Sequence, residues 1–251
     1  MSRAGTAAIE TTEDRLLGGR VTLLQPKTGY RAGIDPVLLA AALDAPAGAE
    51  ACEFGCGPGA ALLAAAQRLP GVRFTGIESD ADAAALARRN VALNALEDRV
   101  AIVEADALEA GGRERFDRVF FNPPFFDDPA SLRAPAEEKT AAWMADRPLA
   151  DWIAAGLAAL KPKGALVFIH RADRLGEALA ALEGRAGAIT VLPVQPRADR
   201  PAKRILVRAV KAAKAPLRVL PSLILHDDAG GKYAASAEAV LRGEAALAMT
   251  P

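Results

Sequence analysis

The sequence predicts an α/β domain with a doubly wound, mostly parallel sheet. From Glu50 onward, short apolar β-prone runs alternate with segments of helical length. Neighbouring parallel strands need a long crossover between them, usually a helix, so this alternation favours a parallel sheet. We expect strands at Ala51–Phe54, Val72–Glu78, Val100–Glu104, Arg118–Phe121 and Ala165–His170, and helices at Ala60–Leu69, Asp80–Asn94, Leu149–Leu160 and Leu175–Glu183.

The segment before this alternation is less regular. Residues 1–14 are polar and are expected to form a loose tail, and Val21–Gln25 is a short β-prone run. Asp35 and Pro36 precede an apolar stretch, Val37–Leu43. We therefore expect Asp35 to cap a helix whose first residue is Pro36.

The end of the chain changes character. Three β-prone runs follow one another, with no helix-length segment between the first two: Ala188–Val194, Arg204–Val210 and Leu217–Leu225. An antiparallel hairpin at the sheet edge is expected there, followed by a helix over Tyr233–Arg242. Residues 127–147 lack clear periodicity, and long loops of this kind in compact domains are often functional.

Composition limits the possible classes of protein. With 251 residues, the chain can form one structural domain, in which residues 1–46 lead into residues 47–251. Lys+Arg and Asp+Glu are both 31, so any nucleic-acid surface must be local. No apolar run is long enough to span a bilayer, and no basic-then-apolar signal pattern opens the chain. Cys52 and Cys56 lack the spacing of a zinc site, so we expect no metal and a cytoplasmic protein.

The first sheet strand is joined to the next helix by a glycine-rich turn, E-F-G-C-G-P-G, over residues 53–59. Glycines permit tight turns and let a ligand approach the backbone. The turn also fits a dinucleotide-binding pattern, but an acid at position 53 suits an ammonium group better than a pyrophosphate. The predicted cofactor contacts are Glu53, Gly55, Cys56, Gly57 and Gly59.

Further acids follow the next two strands. Glu78 ends the second strand, where a carboxylate can accept hydrogen bonds from both ribose hydroxyls, and Ser79 comes next. Asp106 follows the third strand and can accept a hydrogen bond from an adenine amine, while the backbone of Ala107 meets the ring. These positions favour a nucleoside cofactor without choosing between a nicotinamide nucleotide and S-adenosylmethionine.

The run Asn122-Pro123-Pro124-Phe125 decides between them. A conjugated amine is a poor nucleophile because its lone pair is delocalised into the ring. The Asn122 side-chain oxygen and the Pro123 carbonyl can each accept one N–H, which localises that lone pair. Pro123 and Pro124 stiffen the turn, and Phe125 can stack on a base that has left its helical stack. These residues are the predicted catalytic group, and Asn122 is also expected to contact the cofactor.

Together, the glycine-rich turn, Glu78, Asp106 and Asn122–Phe125 resemble the class I amino-methyltransferases with an N-P-P-(Y/F) motif. This resemblance implies a Rossmann-like sheet of seven strands and S-adenosylmethionine as the cofactor. The group includes adenine-N6 enzymes of DNA and RNA and enzymes that act on a glutamine amide. The commonest residue at the position of Phe125 in this group is Tyr. Phe preserves the stacking surface but lacks the hydroxyl contact.

The flanking segments narrow the resemblance to the bacterial enzymes that methylate adenine N6 beside the anticodon of valine tRNA. The segments that carry it are Leu17–Arg20, Gln25–Pro26, Gly29–Asp35, Leu225–Asp228 and Gly231–Tyr233. The resemblance implies tRNA as the substrate. The predicted substrate contacts in the motifs are Tyr30, Arg31 and Phe125.

A local excess of positive charge supports an RNA substrate independently. Residues 197–218 contain eight basic residues and one acid, which leaves the remainder of the chain net acidic. Such asymmetry is typical of a surface that contacts phosphates. We expect the contacts to include Arg197, Arg200, Lys203 and Arg204.

Other functions stay open at this level. The acceptor could be an adenine of rRNA or DNA, or a protein glutamine amide, although the amide gives no reason for the basic run. An NAD-linked oxidoreductase does not account for Asn122–Phe125, and a non-catalytic RNA-binding module does not account for an intact Asn122 and Gly57. The sequence predicts no membrane partner and leaves monomer and homodimer undecided.

Overall fold

Residues 10–28, 31–124, 147–227 and 231–250 are described by the structure, a computed structural model. The strands are β1 (Thr11–Leu16), β2 (Val21–Pro26), β3 (Glu50–Phe54), β4 (Arg73–Glu78), β5 (Val100–Glu104), β6 (Phe116–Phe121), β7 (Leu160–Arg171), β8 (Ala186–Gln195), β9 (Arg204–Lys211), β10 (Arg218–Val219) and β11 (Leu223–Ile224). The helices are α1 (Asp35–Ala42), α2 (Ala60–Arg68), α3 (Ala81–Leu93), α4 (Ala107–Ala110), α5 (Leu149–Ala159), α6 (Leu175–Leu182) and α7 (Ala235–Leu241).

The main sheet has its seven long strands in the order β5-β4-β3-β6-β7-β9-β8, and the short strands β10 and β11 extend it beyond β8. Among the long strands, β9 alone runs antiparallel to its neighbours. The chain moves outward from β3 to β5 and then returns to β6 on the other side of β3. In open α/β sheets, ligands bind beyond the carboxyl ends of the strands at such a reversal. The predicted doubly wound fold and its antiparallel hairpin are confirmed.

Helices cover both faces of the sheet because the central strands are apolar on both sides. In β6, Phe120 belongs to the buried cluster that includes α1, α2, α3 and α7. Its neighbours Val119 and Phe121 belong to the opposite cluster, with α4, α5 and α6. Within the described part of the chain, no helix is long and apolar enough to cross a membrane.

The prediction of a loose N-terminal tail is wrong for residues 11–14. These residues belong to β1, which pairs antiparallel with β2. The strand was missed because its side chains, Thr-Thr-Glu-Asp-Arg-Leu, show no apolar alternation, so it is held mainly by backbone pairing. In contrast, Val21 and Leu23 of β2 are fully buried against the core.

Two further expectations are corrected. Asp35 does not cap α1 but is its first residue, and its carboxylate accepts a hydrogen bond from Arg204 Nε at 2.9 Å. The run Leu217–Leu225 is not one strand, because it divides into β10 and β11, both parallel to β8. Pro221 lies between them and has no N–H for a strand ladder.

Gly76 provides a test of how closely the fold packs. A Cβ at this position of β4 would lie 2.7 Å from Leu62 Cδ2 and 2.8 Å from Cys56 Sγ. Gly76→Ala should therefore lower the free energy of unfolding by about 1–3 kcal/mol, as overpacked cores do. Gly176→Ala in α6 is the control, since nothing lies within 4 Å of its added Cβ. Equal stability of the two variants in urea unfolding would contradict this packing.

Candidate active site

The predicted cofactor residues and Asn122 lie at the carboxyl edge of the sheet. The parallel registers pair Phe54 at the end of β3 with Ile77 of β4 and Phe121 of β6. The segments that follow these strands, residues 55–59, 79–80 and 122–124, therefore begin at the same level. The structure brings Gly55–Gly59, Glu78 and Asn122 to one edge, as the sequence predicted.

The glycine loop, residues 55–59, is held in place by β4. Gly55, Gly57 and Gly59 have φ values of +65°, +52° and +93°, which favour glycine. The N–H groups of Gly55 and Cys56 donate to the Ile77 carbonyl at 2.8 and 3.1 Å. A Cβ on Gly55 would lie 3.0 Å from the Trp152 ring, whereas one on Gly57 would meet nothing within 4 Å. Space for a ligand therefore lies over Gly57.

Cys56 contributes its backbone to this loop. Its carbonyl accepts a hydrogen bond from Gly59 N at 2.9 Å, and its side chain is buried. Burial raises the pKa of the Cys56 thiol well above its usual range, so the thiol stays protonated.

Glu53 is a buried carboxyl group that lacks part of its hydrogen bonding. The residue is 3% exposed, and its Oε2 has no hydrogen-bond partner among the described residues. Burial raises the pKa of Glu53 well above its usual range; a hydrogen bond from the Leu62 N–H opposes this shift, and the negative charge of Glu78 adds to it. A buried acceptor without a donor is costly unless a ligand supplies one. A cationic N–H donor fits this position.

Glu78 and Asp106 organise the neighbouring turns. The two oxygens of Glu78 accept from Gly57 N at 2.7 Å and Asp80 N at 2.9 Å, so this carboxylate fixes the glycine loop. Ser79 lies between Glu78 and Asp80 in the sequence. Asp106 caps α4 by accepting from Leu108 N at 2.8 Å, and its other oxygen lies 3.4 Å from Arg147. Ala107, the first residue of α4, is buried.

Asn122 directly follows the buried end of β6. Its Oδ1 is buried and has no hydrogen-bond partner in the part of the chain that the structure describes. Pro123 is buried and Pro124 is exposed. Phe125 and Tyr30 lie outside the described residues. The edge thus presents two buried acceptors without donors, one on Glu53 and one on Asn122.

The basic run is divided between two edges of the sheet. β8 is parallel to β7, so the hairpin tip, residues 196–203 between β8 and β9, lies at the carboxyl edge with the candidate site. Arg197, Arg200 and Lys203 are exposed there. The end of β9 lies at the opposite edge, where Lys211 donates to the Leu160 carbonyl at 2.7 Å.

Two predicted substrate residues have partners within the protein. Arg204 binds Asp35, an ion pair that joins β9 to α1. Arg31 forms an ion pair with Asp14 at 2.5 Å and donates to the Pro26 carbonyl at 3.1 Å. Both side chains therefore hold the N-terminal segment in place, whatever else they contact.

Strand order and the loops at the carboxyl edge define the class I methyltransferase fold. Within this class, the chain belongs to the family described as the methyltransferase small domain, whose model matches residues 32–192, more than half of the chain. A solved structure from Agrobacterium tumefaciens, described as a predicted O-methyltransferase, is 27% identical with a TM-score of 0.72 and covers 85% of this chain and 98% of its own.

Curated relatives carry more specific names. The chain is 38% identical over 166 residues to a tRNA1(Val) (adenine(37)-N6)-methyltransferase of Porphyromonas gingivalis. The aligned region covers 62% of this chain and 64% of the relative. It is 36% identical over 95 residues to a release factor glutamine methyltransferase of Chlorobaculum tepidum, over 36% of this chain and 32% of the relative. The chain thus spans less than two thirds of the length of either relative.

Sequence reasoning missed two residues at the site. Arg147 reaches Asp106 from 41 positions away, and no local pattern signals that pairing. Asn90 in α3 donates to the Pro58 carbonyl of the glycine loop at 2.9 Å. A polar residue at a buried helical position was the available signal, because buried amides usually have specific partners.

Glu53→Gln tests whether the buried carboxyl group opposes folding. A folded pKa raised above the unfolded value, about 4.3, makes wild-type stability fall as pH rises through the folded pKa. The Gln side chain does not ionise, so the variant avoids this loss of stability at high pH. Without ligand and near pH 8, we expect the variant to melt roughly 2–4 °C higher than the wild-type protein. A gain of about 1 kcal/mol in the free energy of unfolding gives a shift of this size in a chain of this length. A lower melting temperature, or a wild-type pH dependence retained in the variant, would contradict the assignment.

Proposed function

We propose that this protein transfers a methyl group from S-adenosylmethionine to N6 of an adenine in tRNA, beside the anticodon of a valine tRNA. The observation that carries the proposal is the buried Oδ1 of Asn122 at the carboxyl end of β6, which has no hydrogen-bond partner among the described residues. An amide oxygen accepts N–H groups, and an exocyclic amine supplies them. The name of the Porphyromonas gingivalis relative supports the choice of target.

The residues at the carboxyl edge fit S-adenosylmethionine. Glu53 would accept a hydrogen bond from the ammonium group of its amino-acid part, because no donor among the described residues reaches Oε2. Gly57 would let the ligand approach the backbone of the loop. Glu78 would accept hydrogen bonds from the ribose hydroxyls, and Asp106 would accept one from the adenine amine. When bound, this cofactor supplies an electrophilic methyl group on a positively charged sulfur atom.

Asn122 and Pro123 act on the acceptor nitrogen. Each carbonyl oxygen accepts one N–H of the amine, which directs its lone pair away from the ring and toward the methyl group. These hydrogen bonds strengthen as the nitrogen becomes tetrahedral, so they stabilise the transition state more than the ground state. No strong base is needed before transfer. His170 is a poor candidate for one, since burial lowers its pKa to about 4. As the N–C bond forms, the S–C bond would break, S-adenosylhomocysteine would leave as a neutral thioether, and the methylated nitrogen, then positively charged and acidic, would lose one proton to water.

The hairpin tip favours RNA over a protein amide as the acceptor. Arg197, Arg200 and Lys203 are exposed at the same edge as Asn122, and this placement suits phosphates that flank a base in the site. A glutamine amide as the acceptor gives no reason for such a surface. Arg204 is unsuitable for an Ala substitution that tests this surface, because its loss would also remove the ion pair with Asp35.

Mass spectrometry of nucleosides tests the activity directly. Bacterial tRNA lacking this modification is incubated with the protein and S-adenosylmethionine labelled in the methyl group. N6-methyladenosine carrying the label supports the proposal. Label found instead in a release-factor glutamine, in an oxygen-linked methyl group, or in no product would overturn it.

Replacing Asn122 separates catalysis from cofactor binding. Asn122→Ala should lower kcat at least about 100-fold, as loss of one transition-state hydrogen bond does. The Kd for S-adenosylhomocysteine, measured by calorimetry, should change less than about threefold, because the main binding groups remain. If turnover stayed above about a third of the wild-type value, Asn122 would not have the proposed role.

The hairpin tip can be tested against a matched pair of charges. Replacing Arg200 and Lys203 with Ala should weaken tRNA binding and flatten its salt dependence, by about one to two units of the log–log slope. Lys163 and Lys214 are also exposed and lie at the opposite edge. Their double Ala variant should bind normally. Equal slopes for the two variants would exclude the tip from the tRNA surface.

A further inference from the structure

Asn90 of α3 and Asn94, the residue that directly follows α3, act together as a pairing partner for strand β2. Asn90 accepts from Leu24 N at 2.8 Å and donates to Leu24 O at 2.9 Å. Asn94 accepts from Thr22 N at 2.9 Å and donates to Thr22 O at 2.7 Å. Four residues along a helix span ~6 Å and two along a strand span ~6.6 Å, so the two spacings match. The side chains thereby satisfy backbone groups on the edge of β2.

Asn90 makes one contact that Asn94 does not. Its Nδ2 also donates to the carbonyl of Pro58, between Gly57 and Gly59, at 2.9 Å. The Asn90 side chain is fully buried, so water cannot replace these bonds. A single amide therefore joins the N-terminal hairpin, β1 and β2 with their connection, to the glycine loop.

We propose that Asn90 is a positioning residue that couples the N-terminal hairpin to the cofactor loop. The proposal rests on the cofactor site proposed above. Coupling of this kind is reciprocal: a ligand that fixes the loop also stabilises the hairpin, and a loosened hairpin weakens ligand binding. The N-terminal hairpin is thus a working part of the cofactor site.

The same hairpin also holds the segment that contains Arg31 and Ala32. The Gln25 side chain accepts from Ala32 N at 2.7 Å and donates to Asp14 at 2.9 Å. Arg31 binds that same Asp14 carboxylate. Coupling through Asn90 therefore extends to Arg31, one of the predicted substrate residues.

Asn90→Ala and Asn94→Ala form a matched pair for calorimetric titration of the full chain with S-adenosylhomocysteine. Both remove two hydrogen bonds to β2, but only Asn90→Ala frees the Pro58 carbonyl. We expect Kd to rise at least about tenfold for Asn90→Ala and less than about threefold for Asn94→Ala. Wild-type affinity in Asn90→Ala, or an equal loss in both variants, would overturn the proposal. If the wild-type protein does not bind the ligand, the proposed function itself fails.

Hydrogen exchange tests the coupling without a variant, in case Asn90→Ala does not fold. The Leu24 amide donates to Asn90, so S-adenosylhomocysteine should slow its exchange in the wild-type protein. The Leu220 amide, bonded to Val191 at the far sheet edge, is the control and should not respond. Unchanged exchange at Leu24, or equal slowing at both amides, would contradict a specific coupling.

Discussion

A carboxyl group buried at the end of β3 is the constraint on which the site depends. Glu53 is removed from water, and its raised pKa records how poorly the empty protein tolerates its charge. Glu78, one strand away, does not pair with it and instead holds the glycine loop through Gly57. Within the described residues, no group of the protein satisfies Glu53 Oε2. A buried acceptor of this kind costs folding stability, and we propose that a cationic ligand offsets that cost on binding.

Topology brings the rest of the machinery to this carboxyl group. The reversal between β3 and β6 places Asn122 beside the glycine loop, and the parallel direction of β8 brings the hairpin tip to the same edge. The antiparallel β9 then carries the remaining basic residues away from it. A continuous basic run in the sequence is thus two separate surfaces, of which one adjoins the site.

Much of this arrangement could be predicted because it depends on local patterns. Buried parallel strands appear as apolar runs, and turns at their carboxyl ends show glycine, acid or proline signals, so β3 to β6 and their loops were found within a few residues. β1 was missed because backbone pairing rather than side-chain pattern forms it. The partners of Asp35 and Asn90 were missed because Arg204 and Pro58 lie on other elements, which only the folded chain brings near. Tyr30 and Phe125 remain predictions from the sequence.

Proton release on binding tests most directly whether Glu53 receives a cationic group of the cofactor. If the carboxyl group is protonated in the empty site and ionised beside an ammonium group, binding of S-adenosylhomocysteine must release a proton over the pH range between the two pKa values. Calorimetric titrations in buffers of different ionisation enthalpy count that proton. We expect release that approaches one proton and disappears at higher pH, with affinity rising as pH rises. Binding with no proton release at any pH, and with constant affinity, would contradict it.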